Sequence, residues 1–288
     1  MRFLVLVNPS SHGGRAGRQW KEIAKVLPSA EFVLLKGIDE AKVLARNASG
    51  FEAVVAYGGD GTVNAVADGV MANPDGTLKF GVLYQGTSPD FCRFHGIPTD
   101  TEAALRTLLA GITREIPVLQ ANGHCFFCSC NIGMGAEVAS LANRIRPLLG
   151  DRIGTFTALM RSILFCRRYC ISIDGEEMAD CSHLLFSRMP YIAGGIRICL
   201  PELKEDEFAL WYVRHLSFWG WLKLIPKIYS GKPFGKTRIC KGKVTVASTK
   251  RVDVEFDGDP HGELPVTISL AERKLKLIVP QFQEVFNA

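Results

Sequence analysis

Ala53-Val54-Val55-Ala56-Tyr57-Gly58-Gly59-Asp60-Gly61-Thr62-Val63-Asn64-Ala65-Val66-Ala67-Asp68-Gly69-Val70 decides the fold of this chain. Its first five residues are a short apolar run, the pattern of a strand buried on both faces of a parallel sheet. Val63, Val66, Ala67 and Val70 then recur at helical spacing. Glycines between the two segments permit positive φ and close backbone approach to a ligand. The helix start presents unpaired N–H groups suited to phosphate. Asp60 would repel a phosphate directly, and Mg²⁺ lying between them removes that conflict. A tight strand–helix turn with an Asp cap and no ligand fits the same residues.

The same alternation extends on both sides. Short apolar strands are expected at 3–7, 32–35 and 80–84. Helical spacing appears in Trp20, Ile23, Ala24 and Leu27, and again in Ala41, Leu44, Ala45 and Ala48. Thr99 or Asp100 caps a further helix that stops at Gly111. Strands alternating with helices predict a doubly wound parallel α/β domain over residues 1–115. The pattern then changes. Strands are expected at 125–131, 169–173, 184–186, 208–213, 243–247, 252–256, 264–269 and 275–279, with helices near 136–149 and 153–167. Residues 116–288 read as a mostly antiparallel β-sandwich domain.

Composition agrees with two globular domains: 288 residues, 47% apolar and 22% charged. The 34 basic against 29 acidic residues give a net charge of +5, too mild to indicate nucleic acid. No apolar run nears the ~18 residues of a membrane span. The run 3–7 is too short for a signal-peptide core. The expectation is a cytoplasmic protein with peripheral contact at the inner membrane face. The nine cysteines are odd in number, and Cys128 and Cys130 alternate as strand core positions do. Small buried hydrophobes explain them better than zinc does.

Other segments carry weaker signals. Gly86-Thr87-Ser88-Pro89-Asp90-Phe91 follows the strand 80–84, so its loop meets those at 8–14 and 58–62 over one crevice. Taken alone it is a turn with a helix cap. Asp257-Gly258-Asp259 follows the strand 252–256, and Asp-Gly is a favoured hairpin turn. Residues 231–237 imitate a P-loop but have three residues between glycines where four are needed. Residues 218–243 hold seven Lys or Arg and no acid, among Trp219, Trp221, Leu222, Leu224, Ile225, Tyr229 and Phe234. A second basic set, Arg144, Arg146, Arg152, Arg161, Arg167 and Arg168, brackets the apolar helix. Both suit an anionic membrane surface; a core helix with a solvated basic face is the plainer reading. The six histidines show no ligand spacing; His261 lies close to the Asp257-Gly258-Asp259 turn.

Taken in order, Asn8-Pro9 with Gly13-Gly14, residues 58–62 with Asn64, Gly86-Thr87 with Asp90-Phe91, residues 131–138, Gly194-Gly195 with Pro201 and Asp206, and Asp257-Gly258-Asp259 resemble the diacylglycerol kinase catalytic-domain family. That family includes soluble bacterial lipid kinases and the sphingosine and ceramide kinases. The likeness covers essentially the whole chain. It implies a first domain like that of NAD kinases and phosphofructokinases.

The resemblance also implies roles. Asn8, Pro9, Gly13 and Gly14 would contact ATP. Gly58, Gly59, Asp60, Gly61 and Thr62, with Asn64, would cradle its phosphates, and Gly86 and Thr87 would add contacts. Asp60 and Asp90 would hold the catalytic Mg²⁺. Asp257 would be the general base, with Asp259 near the nucleotide and metal. Asp206 would help bind a second, structural Mg²⁺. The reaction would be transfer of the γ-phosphoryl group to a lipid hydroxyl, with no nucleic-acid partner and a homodimer as a possible assembly. Departures from the family pattern are Asp259 for Glu, Ser88-Pro89 before Asp90, Ala65 after Asn64, Lys36, Pro117, and Glu207 for Gly after Asp206. A metabolite kinase of the NAD-kinase type and a nucleotide- or lipid-binding regulator without turnover are the competing readings.

Overall fold

The computed structural model describes the backbone of residues 1–281 apart from Ala193, Gly231 and Pro233, and these residues' side chains apart from those of Arg146, Pro147, Asp151, Arg152, Ala179, Ile228 and Tyr229. Gly231 and Pro233 of the P-loop-like stretch therefore lie outside the described residues, as do the side chains of Arg146, Arg152 and Tyr229.

The chain forms two compact units. One is Met1–Val118 with residues 194–195 and the chain from Ala271; the other is Leu119–Ile192 with Ile196–Leu270. In chain order the first begins with β1 (Phe3–Val7), α1 (Ser11–Val26), β2 (Ala30–Leu34), α2 (Ile38–Arg46), β3 (Ala53–Gly58), α3 (Asp60–Met71), β4 (Lys79–Tyr84), α4 (Asp90–His95), α5 (Thr101–Ala110) and β5 (Thr113–Ile116). The second contains β6 (Leu119–Ala121), β7 (His124–Phe126), β8 (Cys130–Gly133), α6 (Met134–Leu149), α7 (Asp151–Leu164), β9 (Tyr169–Ile173) and β10 (Glu176–Ser187). It continues with β11 (Tyr191–Ile192), β12 (Ile196–Arg197), β13 (Glu207–Arg214), α8 (Phe218–Tyr229), β14 (Lys236–Lys241), β15 (Lys243–Ser248), β16 (Asp253–Phe256), β17 (Asp259–Glu263) and β18 (Val266–Leu270). Then β19 (Leu275–Ile278) rejoins the first unit.

The first sheet runs β2-β1-β3-β4-β19-β5. Strands β1 to β4 pair in parallel, and β19 is parallel to β4 but antiparallel to β5. Every residue of β1 and β3 is buried, as central strands covered on both faces require. Helix α2 lies close to α3 because Gly69 has no side chain: a Cβ there would sit 2.5 Å from the Lys42 carbonyl. Asn73, itself buried, donates to the Ala45 and Ala48 carbonyls at 3.0 Å and so closes the end of α2. Asp100 caps α5 by accepting from the Ala103 amide, and Gly111 ends it at φ 64°.

One expectation is corrected here. Residues 275–279 read as a strand of the second domain, yet β19 lies in the first sheet. Leu275, Leu277 and Ile278 are fully buried there. An apolar strand reads the same in either sheet, and sequence proximity pointed to the wrong neighbours.

The second unit has an 11-stranded, antiparallel sheet ordered β17-β16-β8-β10-β9-β15-β18-β6-β7, with β13 on β10 and β14 on β13. Strand β10 extends well beyond the expected 184–186. Its first half pairs with β9, its second half with β8 and β13, and the register shifts around Cys181. Its side chains alternate between two cores. Leu184 and Phe186 join Ile132, Ile171, Phe208, Val246 and Ile268 inside the sheet. Leu185 points the other way, with Trp211, Val213, Ile163 and Trp221, under α7 and α8. The expected strand 125–131 is broken at 127–129, for a reason given below. Among the described residues, no helix is long and apolar enough to cross a membrane.

Candidate active site

In the first unit, three loops leave the carboxyl ends of β1, β3 and β4. After β1 the backbone takes left-handed φ at His12, Gly13 and Gly14 (50°, 62° and 83°) before the regular part of α1, and the Gly14 amide donates to the Ser10 carbonyl at 3.2 Å. Asn8 links this loop to α3: its Nδ2 donates to Thr62 Oγ1 at 3.0 Å, and its Oδ1 accepts from the Ser10 amide. The Gly59 amide donates to Ser11 Oγ at 3.3 Å. Gly17 lets α1 pack on Pro9, where a Cβ would lie 2.9 Å from the Pro9 carbonyl oxygen.

The second and third loops touch backbone to backbone. The Gln85 amide donates to the Gly58 carbonyl at 2.6 Å. A Cβ on Gly86 would lie 2.9 Å from the Cα of Gly59 and 2.5 Å from the Tyr84 hydroxyl. A Cβ on Gly58 would collide with Thr62. The glycines are therefore required by contact. Helix α3 starts after Gly59, which supplies no capping side chain to its first amides. Thr87 is exposed at the tip of the third loop.

Two carboxylates sit among these loops. The Tyr84 hydroxyl donates to Asp60 Oδ2 at 2.7 Å while accepting from the Ser88 amide. Burial pushes Asp60 up to about 6, the Tyr84 bond opposes that rise, and the Asp90 charge adds to it. Asp90 is buried and also raised by burial, against the Gly194 amide on Oδ2 (2.7 Å) and the Arg93 guanidinium on Oδ1 (2.8 Å). Two like charges that feel each other in a buried setting favour a cation. Among the described residues no group of three or more His, Cys, Asp or Glu could hold a metal ion. Mg²⁺ commonly takes one or two carboxylates and completes its shell with phosphate and water, so this donor set fits it. Both polar atoms of the Asn64 side chain, one turn beyond Asp60, are buried without a partner among the described residues, as is the Tyr57 hydroxyl. Such orphans await a ligand or ordered water.

In the second unit, Asp257 follows β16 at φ 52°. Its Oδ1 accepts from the amides of Cys128 (2.7 Å) and Ser129 (2.9 Å), and its Oδ2 from that of Phe127 (2.7 Å). Those amides turn towards the carboxylate, which is why the strand expected at 125–131 is interrupted. Burial pushes Asp257 up to about 6 against these three donors. Beneath the turn lies a polar cluster that the sequence did not reveal. Glu255 is buried and accepts from Asn131 Nδ2 at 2.7 Å and from the Gly258 amide. Asn131 Oδ1 lies 3.0 Å from His183 Nε2. Burial pushes Glu255 up to about 8 and His183 down to about 4, favouring the neutral form of each. Gly135 is needed here, since a Cβ would lie 2.5 Å from His183.

The other singled-out residues lie as follows. Asp259 is exposed at the start of β17. His261 stacks on Phe256, ring centroids 4.4 Å apart. Asp206 pairs with Lys241. Tyr84, Tyr57, Ser11, Arg93, Glu255 and His183 were missed. Tyr57 and Tyr84 alone gave a signal, as polar-tipped aromatics where a strand runs into a Gly loop. Helix α7 buries Ala158 and Ile163 but exposes Ile153, Phe156 and Leu164. Phe165 and, on α8, Trp219 are exposed as well.

Residues 2–121 match the family model described as the diacylglycerol kinase catalytic domain. Over 97% of this chain, the chain is 25% identical to a diacylglycerol kinase of Bacillus subtilis (strain 168), covering 97% of that protein. It is 23% identical to a Staphylococcus aureus (strain bovine RF122) diacylglycerol kinase, over 97% of this chain and 92% of the relative. A crystal structure of a diacylglycerol kinase from Bacillus anthracis superposes with a TM-score of 0.75 at 21% identity, covering 97% of each chain. That likeness shows the fold.

Proposed function

We propose, from the match of residues 2–121 to the diacylglycerol kinase catalytic-domain model, that the protein is a lipid kinase transferring the γ-phosphoryl group of ATP to a hydroxyl of a lipid such as diacylglycerol. The observation that carries this reading is the pair Asp60 and Asp90 set among three glycine-bearing loops. Gly13, Gly14, Gly58, Gly59 and Gly86 admit phosphate close to the backbone. The first amides of α3, at Gly61 and Thr62, donate to it. Asn8, Pro9, Asn64 and Thr87 contact the nucleotide. Asp60 and Asp90 would hold Mg²⁺, which when bound would neutralise charge on the phosphate oxygens. Tyr84 orients Asp60, and Arg93 orients Asp90. Asp257 is ionised above pH ~6 and takes the hydroxyl proton as the phosphoryl group is transferred. Its three amide donors fix its direction, fill Oδ1 and leave one lone pair, on Oδ2. The exposed apolar residues of α7 and α8, with Arg161, Arg167, Lys223 and Lys227 nearby in sequence, form a peripheral membrane face.

One observation favours the regulator without turnover: three amides on Asp257 are also what a purely structural turn would show. ATP consumption with and without mixed lipid micelles separates the readings. A lipid kinase consumes ATP only with acceptor lipid, and γ-labelled phosphate appears in the extracted lipid. Label appearing in a soluble dinucleotide would favour the metabolite kinase, and nucleotide binding with no consumption would favour the regulator.

A further inference from the structure

After β10 the chain places Arg188 against the turn 204–207. Three backbone carbonyl oxygens converge on its Nη1: those of Lys204 at 3.1 Å, Glu205 at 3.3 Å, and Glu207 in the closest contact. Acidic side chains flank this cradle. Asp206 Oδ2 and Glu207 Oε1 both meet Lys241 Nζ, at 3.1 and 3.2 Å. Glu207 Oε2 accepts from the Lys204 amide at 2.9 Å, which closes the turn. Convergent carbonyls beside carboxylates are the donor set of a hard divalent cation. Here every one of these donors already faces a cation of the chain itself.

That arrangement does not suit the structural Mg²⁺ for which Asp206 was expected. An arriving ion would meet a guanidinium among the carbonyls and an ammonium on the carboxylates. We propose that the turn 204–207 is a divalent-cation cradle in which the chain's own Arg188 replaces the metal ion, with Lys241 neutralising Asp206 and Glu207. The second unit therefore folds without a divalent cation, and removing the guanidinium creates a cation site. Arginine suits the position because its planar fork stays charged when desolvated and serves several acceptors at once.

The test is thermal unfolding of the full chain without nucleotide, in EDTA and in millimolar Mg²⁺ or Ca²⁺. All proteins carry Asp60→Asn, so that cation binding at the first unit's carboxylates does not contribute. With Arg188 present, the midpoint is expected to be the same in both media. Arg188→Met strips the carbonyls of their partner and lowers the midpoint in EDTA by on the order of 5 °C, since hydrogen bonds to a charged group are among the stronger ones. Millimolar cation then restores most of that loss. Arg188→Lys, which keeps a charge, loses less and gains nothing from cation. Adding Asp206→Asn to Arg188→Met weakens the restoration. A drop in EDTA with Arg188 intact would overturn the proposal. So would an Arg188→Met protein whose midpoint ignores the cation, or one that fails to fold with and without it.

Discussion

Residues 58–62 and residues 257–259 both set an aspartate beside glycine at the end of a buried strand, and the two carboxylates are treated differently. Asp60 begins a helix and accepts from the Tyr84 hydroxyl and from its own backbone amide. Its partner in charge is another carboxylate. Asp257 takes three backbone amides, and the buried carboxyl of Glu255, pushed up by burial, lies two residues before it. Burial raises both to about 6. Asp60 thus lacks a counter-charge that a ligand can supply, whereas Asp257 has its surroundings complete. One position is tuned for occupancy and the other for fixed direction.

The sharpest way to break this comparison is Asp257→Asn. If direction serves proton transfer, turnover on lipid falls roughly 10²–10⁴-fold with nucleotide affinity nearly unchanged. The amide nitrogen of Asn would face the Phe127 N–H, so a stability loss of about 1–3 kcal/mol accompanies it in denaturant titration. Normal turnover with the same stability loss would make Asp257 a turn residue only.

Asp60→Asn should do the reverse. Folding is retained or slightly improved, because a buried unpaired carboxylate is removed. Use of Mg²⁺-ATP falls by on the order of 10²-fold, about the scale of losing one strong charged contact of ~3 kcal/mol. Unchanged activity at limiting Mg²⁺ would remove Asp60 from the metal site.

Glu255 sharpens the contrast through pH. Its folded-state value, about 8, lies above the ordinary 4.5. The folded protein therefore binds this proton more tightly than the unfolded chain. The stabilisation is complete below pH ~4.5 and is lost as pH rises through 8. Asp60 and Asp257 act with the same sign between about 4 and 6. Buried His183 and His95, pushed down to about 4 and about 3, act with the opposite sign up to about pH 6.5, so the net decline of the ligand-free protein should show mainly from about pH 6.5 to about pH 8.5, by up to a few kcal/mol. Glu255→Gln should flatten the part above pH 6, as read from urea midpoints. An equal decline in the variant would assign the slope elsewhere.

Tyr84→Phe is the mildest probe. It removes the hydroxyl that joins Asp60 to the Ser88 amide, a net loss of about 1 kcal/mol. The KM for ATP should rise about fivefold with kcat little changed. A larger fall in kcat would give Tyr84 a direct part in transfer.

The contrast also shows what a sequence exposes. Strand, glycine turn and helix at 53–70 were legible because each has its own period and the glycines punctuate them. The cap at Asp100 and the stop at Gly111 were legible because both are local. The partners of a turn were not. That 127–129 bend towards Asp257 depends on residues some 130 positions apart, and no local pattern records it. Glu255 lies between two buried apolar residues in β16, where a charged residue reads as a solvent-facing strand position. Placing β19 failed for the same reason: its apolar pattern fits any sheet, and only the finished packing selects one.

That last strand has a consequence for synthesis. Residues 1–118 emerge first, but β4 and β5 acquire their common neighbour only when Leu275–Ile278 arrives. At ~5–20 residues per second that delay is about 8–30 s. Until then the nascent first unit carries two open strand edges, while the whole of the second unit is produced in the interval. A fragment ending at residue 118 would keep those edges for good and should associate through them.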